Sequence, residues 1–225
     1  MTKYLIFDAG PIISLTMNGL LGVLEKLKNI FDGEFIITPQ VKYEVVERPA
    51  KTKKYELESV MVQDLIDKGI FTMSSKIIPN NSLEKETKNI LKIINGCFSS
   101  EKQREKINLI QNGEASCLAF AKLCKCENLI VVDERTTRML VESPEELKDL
   151  MERKLHNKII LDKTKLKEIK NFRFIRSAEL LFVAYKKNLF DMKKNRQLLD
   201  ALLYGVKFKG TAISSKEIEE IKRLV

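Results

Sequence analysis

Short apolar runs, each about the length of one strand, alternate with segments of helical periodicity along most of this 225-residue chain. That alternation is the feature that most limits what it can fold into. "KYLIF" (3–7), "EFIIT" (34–38), "IFTMS" (70–74), "NLIVVD" (128–133) and "FRFIR" (172–176) read as strands. Between them lie helical patterns. "GLLGVLEKLKNIF" (19–31) sets Leu20, Val23, Leu24, Leu27 and Phe31 on one face. "PQVKYEVVE" (39–47) opens with Thr38 as N-cap and Pro39 at its first position and stops before Pro49. Residues 55–69 close on Gly69, 82–95 begin with Ser82 as cap, and 101–111 and the Ala-rich 113–124 follow. Strand alternating with helix predicts an α/β fold, a parallel sheet with crossover helices.

After residue 140 the pattern changes. Residues 142–171 are dense in charge, with few large apolar residues outside "KIIL", and read as an insertion with some helix. Residues 177–190 read as an amphipathic helix capped by Ser177. Residues 191–225 read as a helical extension whose last helix is capped by Ser214 or Ser215, with Glu217 in its first turn. The whole of 1–225 is expected to form a single domain.

Charge divides the chain. Residues 1–150 carry 21 Lys and Arg against 22 Asp and Glu, and residues 151–225 carry 19 against 9. A basic second part on a near-neutral first part suggests an anionic partner, most simply nucleic acid. No apolar run reaches the roughly 18–20 residues of a membrane span. No basic leader precedes the first strand, so no signal peptide and a cytoplasmic setting are expected. The four cysteines and the single histidine, His156, do not have the spacing of a zinc site or a disulfide framework.

Four acids carry the chemistry. Asp8 ends the strand "YLIF", and Asp133 ends "LIVV" in the same way. If both strands lie in one parallel sheet, both carboxylates emerge at its C-terminal edge, where open α/β sheets bind ligands. Glu44 lies beside the apolar face formed by Val41, Val45 and Val46, whereas Glu47 is expected to face solvent. Glu114 sits in a helix's first turn among the small residues Gly113, Ala115 and Ser116, which let that helix end approach another backbone closely. Gathered carboxylates repel one another unless one takes a proton or a cation joins them. Mg²⁺ and Mn²⁺ prefer such hard oxygen ligands, and a two-ion site can serve in-line phosphodiester cleavage. Asp8 lacks the second acid two residues on that a haloacid-dehalogenase-type phosphatase needs, because Gly10 stands there. The glycine-rich turn of a dinucleotide-binding fold is also absent.

"LIFDAGPIISL", "ITPQVKYEVVE", "NGEASCLAFAK" and "VVDERTTRML" resemble, in order, the four acidic motifs of PIN-domain proteins. The likeness is closest to archaeal-type members with Asp-Ala-Gly-Pro in the first motif and Asp-Glu-Arg in the last. It covers most of 1–225, with 142–171 as an insertion. Ala9 and Gly10 follow Asp8 where many relatives carry Ser or Thr. The resemblance implies a three-layer α/β/α domain with a parallel five-stranded sheet. It also implies metal-dependent endoribonuclease chemistry with Mg²⁺ or Mn²⁺ held by Asp8, Glu44, Glu114 and Asp133. Arg135 and Arg138, just after Asp133, are the expected phosphate contacts. RNA is the expected partner, with a homodimer as the assembly and a protein inhibitor if the chain is the toxin of a toxin–antitoxin pair. The competing expectation is a PIN-like protein that binds RNA or protein without cutting.

Overall fold

Apolar runs flanked by helices are what a parallel sheet buried on both faces requires. The computed structural model, which describes residues 3–100, 108–169 and 171–225, has such a sheet at its centre. The chain begins with β1 (Tyr4–Phe7), α1 (Ala9–Met17), α2 (Leu21–Ile30), β2 (Glu34–Ile37) and α3 (Pro39–Lys42). α3 runs on as a π-helical turn, Tyr43–Glu47, and two short 3₁₀ turns lead into α4 (Glu56–Asp67). Next come β3 (Phe71–Met73), α5 (Asn80–Ile94), β4 (Phe98–Ser100), α6 (Asn112–Leu123), β5 (Asn128–Val131) and α7 (Arg135–Glu142). The remainder is α8 (Pro144–Leu155), β6 (Ile159–Leu161), α9 (Lys163–Leu166), β7 (Phe174–Ile175), α10 (Ser177–Lys186), α11 (Arg196–Phe208) and α12 (Ser215–Lys222).

The five-stranded sheet has the order β3-β2-β1-β5-β7 and every pair is parallel. Helices flank it in an α/β/α arrangement. β1 is central, and Ile6 and Phe7 are fully buried. Phe7 meets Phe35 of β2 at a tilt and Phe71 of β3 edge to face, each with ring centres 5.2 Å apart, which ties three strands together at the aromatic centre of the core. Among the described residues no helix is long and apolar enough to cross a membrane.

Several boundaries differ from expectation. α5 begins at Asn80, so Ser82 lies inside its first turn rather than at its cap. Ser177 is the first residue of α10, with Arg176 at the cap position, because the Ser177 hydroxyl is committed elsewhere. The helix expected over 101–111 falls on residues outside those described, apart from 108–111, which are not helical. The charged stretch 142–171 contributes to the core: Leu147, Met151, Ile159, Leu166 and Ile169 are buried. Its strand β6 pairs antiparallel with β4 in a separate two-stranded sheet.

The Phe7 environment makes a clear prediction. Phe7→Ala should lower the unfolding free energy by about 3–5 kcal/mol through lost burial and a residual cavity. Ile30→Ala, at a side chain 51% exposed, should change it by no more than about 0.5 kcal/mol. Urea denaturation of the two variants beside the wild type measures both.

Candidate active site at the sheet reversal

From β1 the chain adds β2 and β3 on one side, then returns to place β5 and β7 on the other. The strand order therefore reverses between β1 and β5, and the crevice beyond the carboxyl ends of such strands is where open α/β sheets take ligands. Phe7 pairs in register with Val131. Asp8, the next residue, donates its backbone N–H to the Val131 carbonyl at 3.0 Å. Asp133 lies two residues beyond Val131. Both acids are buried, at 6% and 3% exposure, on that edge. Asp8 occupies the N-cap position of α1, yet its side chain makes no capping bond.

Glu44 and Glu114 reach the same place from two helices. Thr38 caps α3, accepting from the Val41 N–H at 3.2 Å, and its hydroxyl is 2.6 Å from that of Ser116 in α6. Ser116 in turn donates to the Gly113 carbonyl at 2.7 Å, so the two helix starts are pinned side by side. The π-helical turn then carries Glu44 toward α6. Such wide turns inside helices are frequent at functional sites. A Cβ on Gly113 would lie 2.8–2.9 Å from both Glu44 carboxylate oxygens, so a larger residue there would push the Glu44 carboxylate out of this position. Gln40 Nε2 donates to Glu44 Oε1 at 3.2 Å. Glu114 accepts from the Gln111 N–H at 2.8 Å and from the Thr137 hydroxyl. It serves both the first turn of α6 and the crevice.

Asp133 is the most firmly held of the four. Its Oδ1 accepts from the Ser177 N–H at 2.8 Å, and its Oδ2 accepts from the Ser177 hydroxyl at 2.8 Å and the Thr211 hydroxyl at 2.9 Å. Gly10 stands between the two aspartates: a Cβ there would sit 3.7 Å from Asp8 Oδ2 and 3.8 Å from the Asp133 Cβ. All four acids border one cleft of about 590 Å³, together with Glu134 and Lys209.

The electrostatics follow from this crowding. Burial, then the charges of Glu114 and Glu44, push the Asp8 carboxyl up to about 7, against the pull of the Ala9 and Gly10 amides. Burial also raises Glu114, with Glu134 and Glu44 adding to it and the bonds from Gln111 and Thr137 opposing. Asp133 is raised by burial and held back by Ser177 and Thr211. Asp8, Glu44 and Glu114 thus form a mutually repelling trio, while Asp133 is stabilised by neutral donors.

Among the described residues, no three Asp, Glu, Cys or His side chains converge tightly enough to enclose a metal ion. Mg²⁺ and Mn²⁺ seldom need that, since they are commonly held by one or two carboxylates with water and substrate phosphate completing the shell. A cleft bordered by carboxylates, with no histidine or cysteine among the described residues that line it, fits a hard divalent cation by donor chemistry.

Neither Arg135 nor Arg138 borders the cleft. Arg135 donates to the Met139 sulfur at 3.2 Å. Arg138 donates to the Ala212 carbonyl at 3.1 Å, and burial lowers its pKa. Among the described residues the cation that borders the cleft is the exposed Lys209, at the end of α11. Sequence reasoning also missed Thr137, Ser177 and Thr211 as partners of the acids. Only Ser177 stood out in the sequence, and it resembled a helix cap.

Comparison with protein-family models, with curated proteins and with solved structures finds no match to this chain.

The raised Asp8 pKa makes a definite contribution to the pH dependence of stability. Below about pH 4 the carboxyl is protonated in both folded and unfolded chains and contributes nothing. As pH rises from 4 to 7 the unfolded chain releases this proton and the folded chain keeps it, so stability falls, and above 7 the full penalty applies. Asp8→Asn should therefore stabilise the metal-free protein at pH 8 by on the order of 2–4 kcal/mol, with the gain vanishing near pH 4. Urea denaturation in chelator across this range measures it.

Proposed function

We infer that this chain is a divalent-cation-dependent endoribonuclease of the PIN type. The observation that supports this most is the meeting of Asp8, Glu44, Glu114 and Asp133 on one cleft at the sheet's reversal point. These are the four residues of the acidic motifs that resemble that family. The basic second part of the chain supports a polyanionic substrate, and RNA is the polyanion that the resemblance favours.

Mg²⁺ or Mn²⁺, held by these carboxylates, would offset their mutual repulsion, polarise the attacking water and balance charge developing on the phosphoryl group. The chain's own groups prepare the site. Ser177 and Thr211 fix both oxygens of Asp133, and Thr137 and the Gln111 amide fix those of Glu114. Carboxylates held this way lose little freedom when they take up their ligands. Gly10 leaves the space between Asp8 and Asp133 open, and no side chain from that position competes for it. Lys209 at the rim offsets part of the negative field that would otherwise turn a phosphate away. The reaction is hydrolysis: water adds to phosphorus and the bond to the leaving oxygen breaks.

Groups that act as one catalytic unit are strongly non-additive. Asp8→Asn, Glu114→Gln and the double variant should each cut single-stranded RNA in Mn²⁺ slower by a similar factor, about 10²-fold or more, while still binding it. Glu47→Gln, at an exposed side chain, should cleave at the wild-type rate. A gel-based cleavage assay on mixed RNAs decides this. A wild-type protein that binds RNA and leaves it intact in Mn²⁺ would make the chain a non-cleaving binder.

A further inference from the structure

The loop 209–213, between α11 and α12, meets the acid cleft from the far end of the chain. Lys209 and Gly210 border the cleft, and the next two residues hold Asp133. The Thr211 hydroxyl donates to Asp133 Oδ2 at 2.9 Å and lies 2.6 Å from the Ser177 hydroxyl. The Ala212 N–H donates to the Asp133 backbone carbonyl at 3.1 Å. Gly210 turns the chain between these pairs at φ +115°, a conformation that favours glycine. One short loop therefore supplies part of the cleft wall and two of the donors to one of its acids.

The loop can do this only if it is itself fixed. Among the described residues, its hydrogen bonds to groups outside α11 and α12 end on Asp133, Ser177, Arg138 and Arg176. Arg176 reaches furthest. It follows β7, is 8% exposed, and uses all three guanidinium nitrogens. Nε donates to Glu179 of α10 at 2.8 Å, and Nη2 pairs with the same carboxylate. Nη1 donates to the Ala212 carbonyl at 3.1 Å and to Glu217 Oε1 at 2.6 Å. The other Glu217 oxygen accepts from the Ser214 N–H at 2.8 Å and completes the cap of α12. Arg176 thus pins the loop at Ala212 and again through the first turn of the helix that follows it. Arg138 adds one bond to the same carbonyl. A planar guanidinium offers donors in fixed directions, as an ammonium does not. Exposed ion pairs contribute little, but a buried charge stripped of its partner is strongly destabilising.

We propose that Arg176, with Glu217 as its partner, is a positioning residue of the cleft: it borders no part of the cleft and sets Asp133 and Lys209 in place through the loop 209–213. The proposal rests on the reading of the cleft as a cation site, and its test has one arm that needs no metal. That arm is amide hydrogen exchange of the full chain in chelator, followed by NMR. Glu217→Gln keeps the helix cap, which glutamine also serves, and loses the ionic pair. Protection of the Ala212 amide should then fall about fivefold, while the β1 amides keep theirs. Arg176→Gln should lower it further. Lys68→Gln, which removes ion pairs to Glu25 and Asp64 elsewhere in the fold, should leave it unchanged. The second arm is the Mn²⁺ dissociation constant, read from the electron paramagnetic resonance signal of the free ion. It should rise about tenfold in Arg176→Gln, as for other groups that orient a metal's ligands, less in Glu217→Gln, and not at all in Lys68→Gln. Thr211→Val removes one of the loop's own donors to Asp133. Combined with Glu217→Gln it should weaken Mn²⁺ by less than the product of the two separate effects, since both act through one loop. Unchanged Ala212 protection in Glu217→Gln and Arg176→Gln overturns the proposal. So does a lowered melting temperature with wild-type Mn²⁺ affinity, which makes Arg176 a stabilising residue alone. A wild type that takes up no Mn²⁺, with the loss of Ala212 protection as expected, removes the cation reading and keeps the positioning of Asp133.

Discussion

Everything at the candidate site depends on the pairing of β1 with β5. The register that sets Phe7 opposite Val131 also brings Asp8 and Asp133 to one edge of the sheet. A shift of one residue would turn every side chain of β1 to the opposite face and bury Asp8 in the wrong layer. On its other side β1 is held against β2 and β3 by the aromatic contacts of Phe7 with Phe35 and Phe71. The apolar core therefore does more than stabilise the fold: it fixes where two charges emerge, at the point where the strand order reverses.

The C-terminal part closes the site from the other side. Thr211 donates to Asp133 Oδ2, and the Ala212 N–H donates to the Asp133 backbone carbonyl at 3.1 Å. The Ala212 carbonyl accepts from both Arg138 and Arg176, at 3.1 Å each. Burial opposes the charge of Arg176, but ion pairs to Glu179 and to Glu217 of α12 outweigh it and hold its pKa above the usual arginine range. Residues 191–225 are thus bound to Asp133 by main-chain and side-chain hydrogen bonds and are an integral part of the site. Arg138 and Arg176 both serve this clamp. Lys209, carried on the same segment, is the cation that borders the cleft among the described residues.

Much of this was legible in the sequence, for physical reasons. An apolar run that ends in an acid is unusual enough to mark Asp8 and Asp133, and the valines around Glu44 indicated the face it borders. Gly113 was readable as a close approach, though not its partner, because the π-helical turn that brings Glu44 to it has no sequence signature. Ser177 looked like a cap, since a serine before an apolar helix usually is one. Its hydroxyl instead bonds an aspartate 44 residues away. The β4–β6 pair was invisible because each strand has three residues and the partners lie some sixty residues apart in the chain. The stretch 142–171 seemed detached because its charge density masked Leu147 and Met151, which are spaced one helical turn apart and are both buried.

The central claim is that the clustered carboxylates are a cation site whose repulsion is the energy a bound ion recovers. A Mn²⁺ titration followed by melting temperature tests it most directly, because a ligand that binds only the folded chain stabilises it by mass action. The account predicts a rise on the order of 5 °C at millimolar Mn²⁺, absent when Asp8→Asn and Asp133→Asn are combined. An unchanged melting temperature for the wild type, or an equal rise in the double variant, would contradict it.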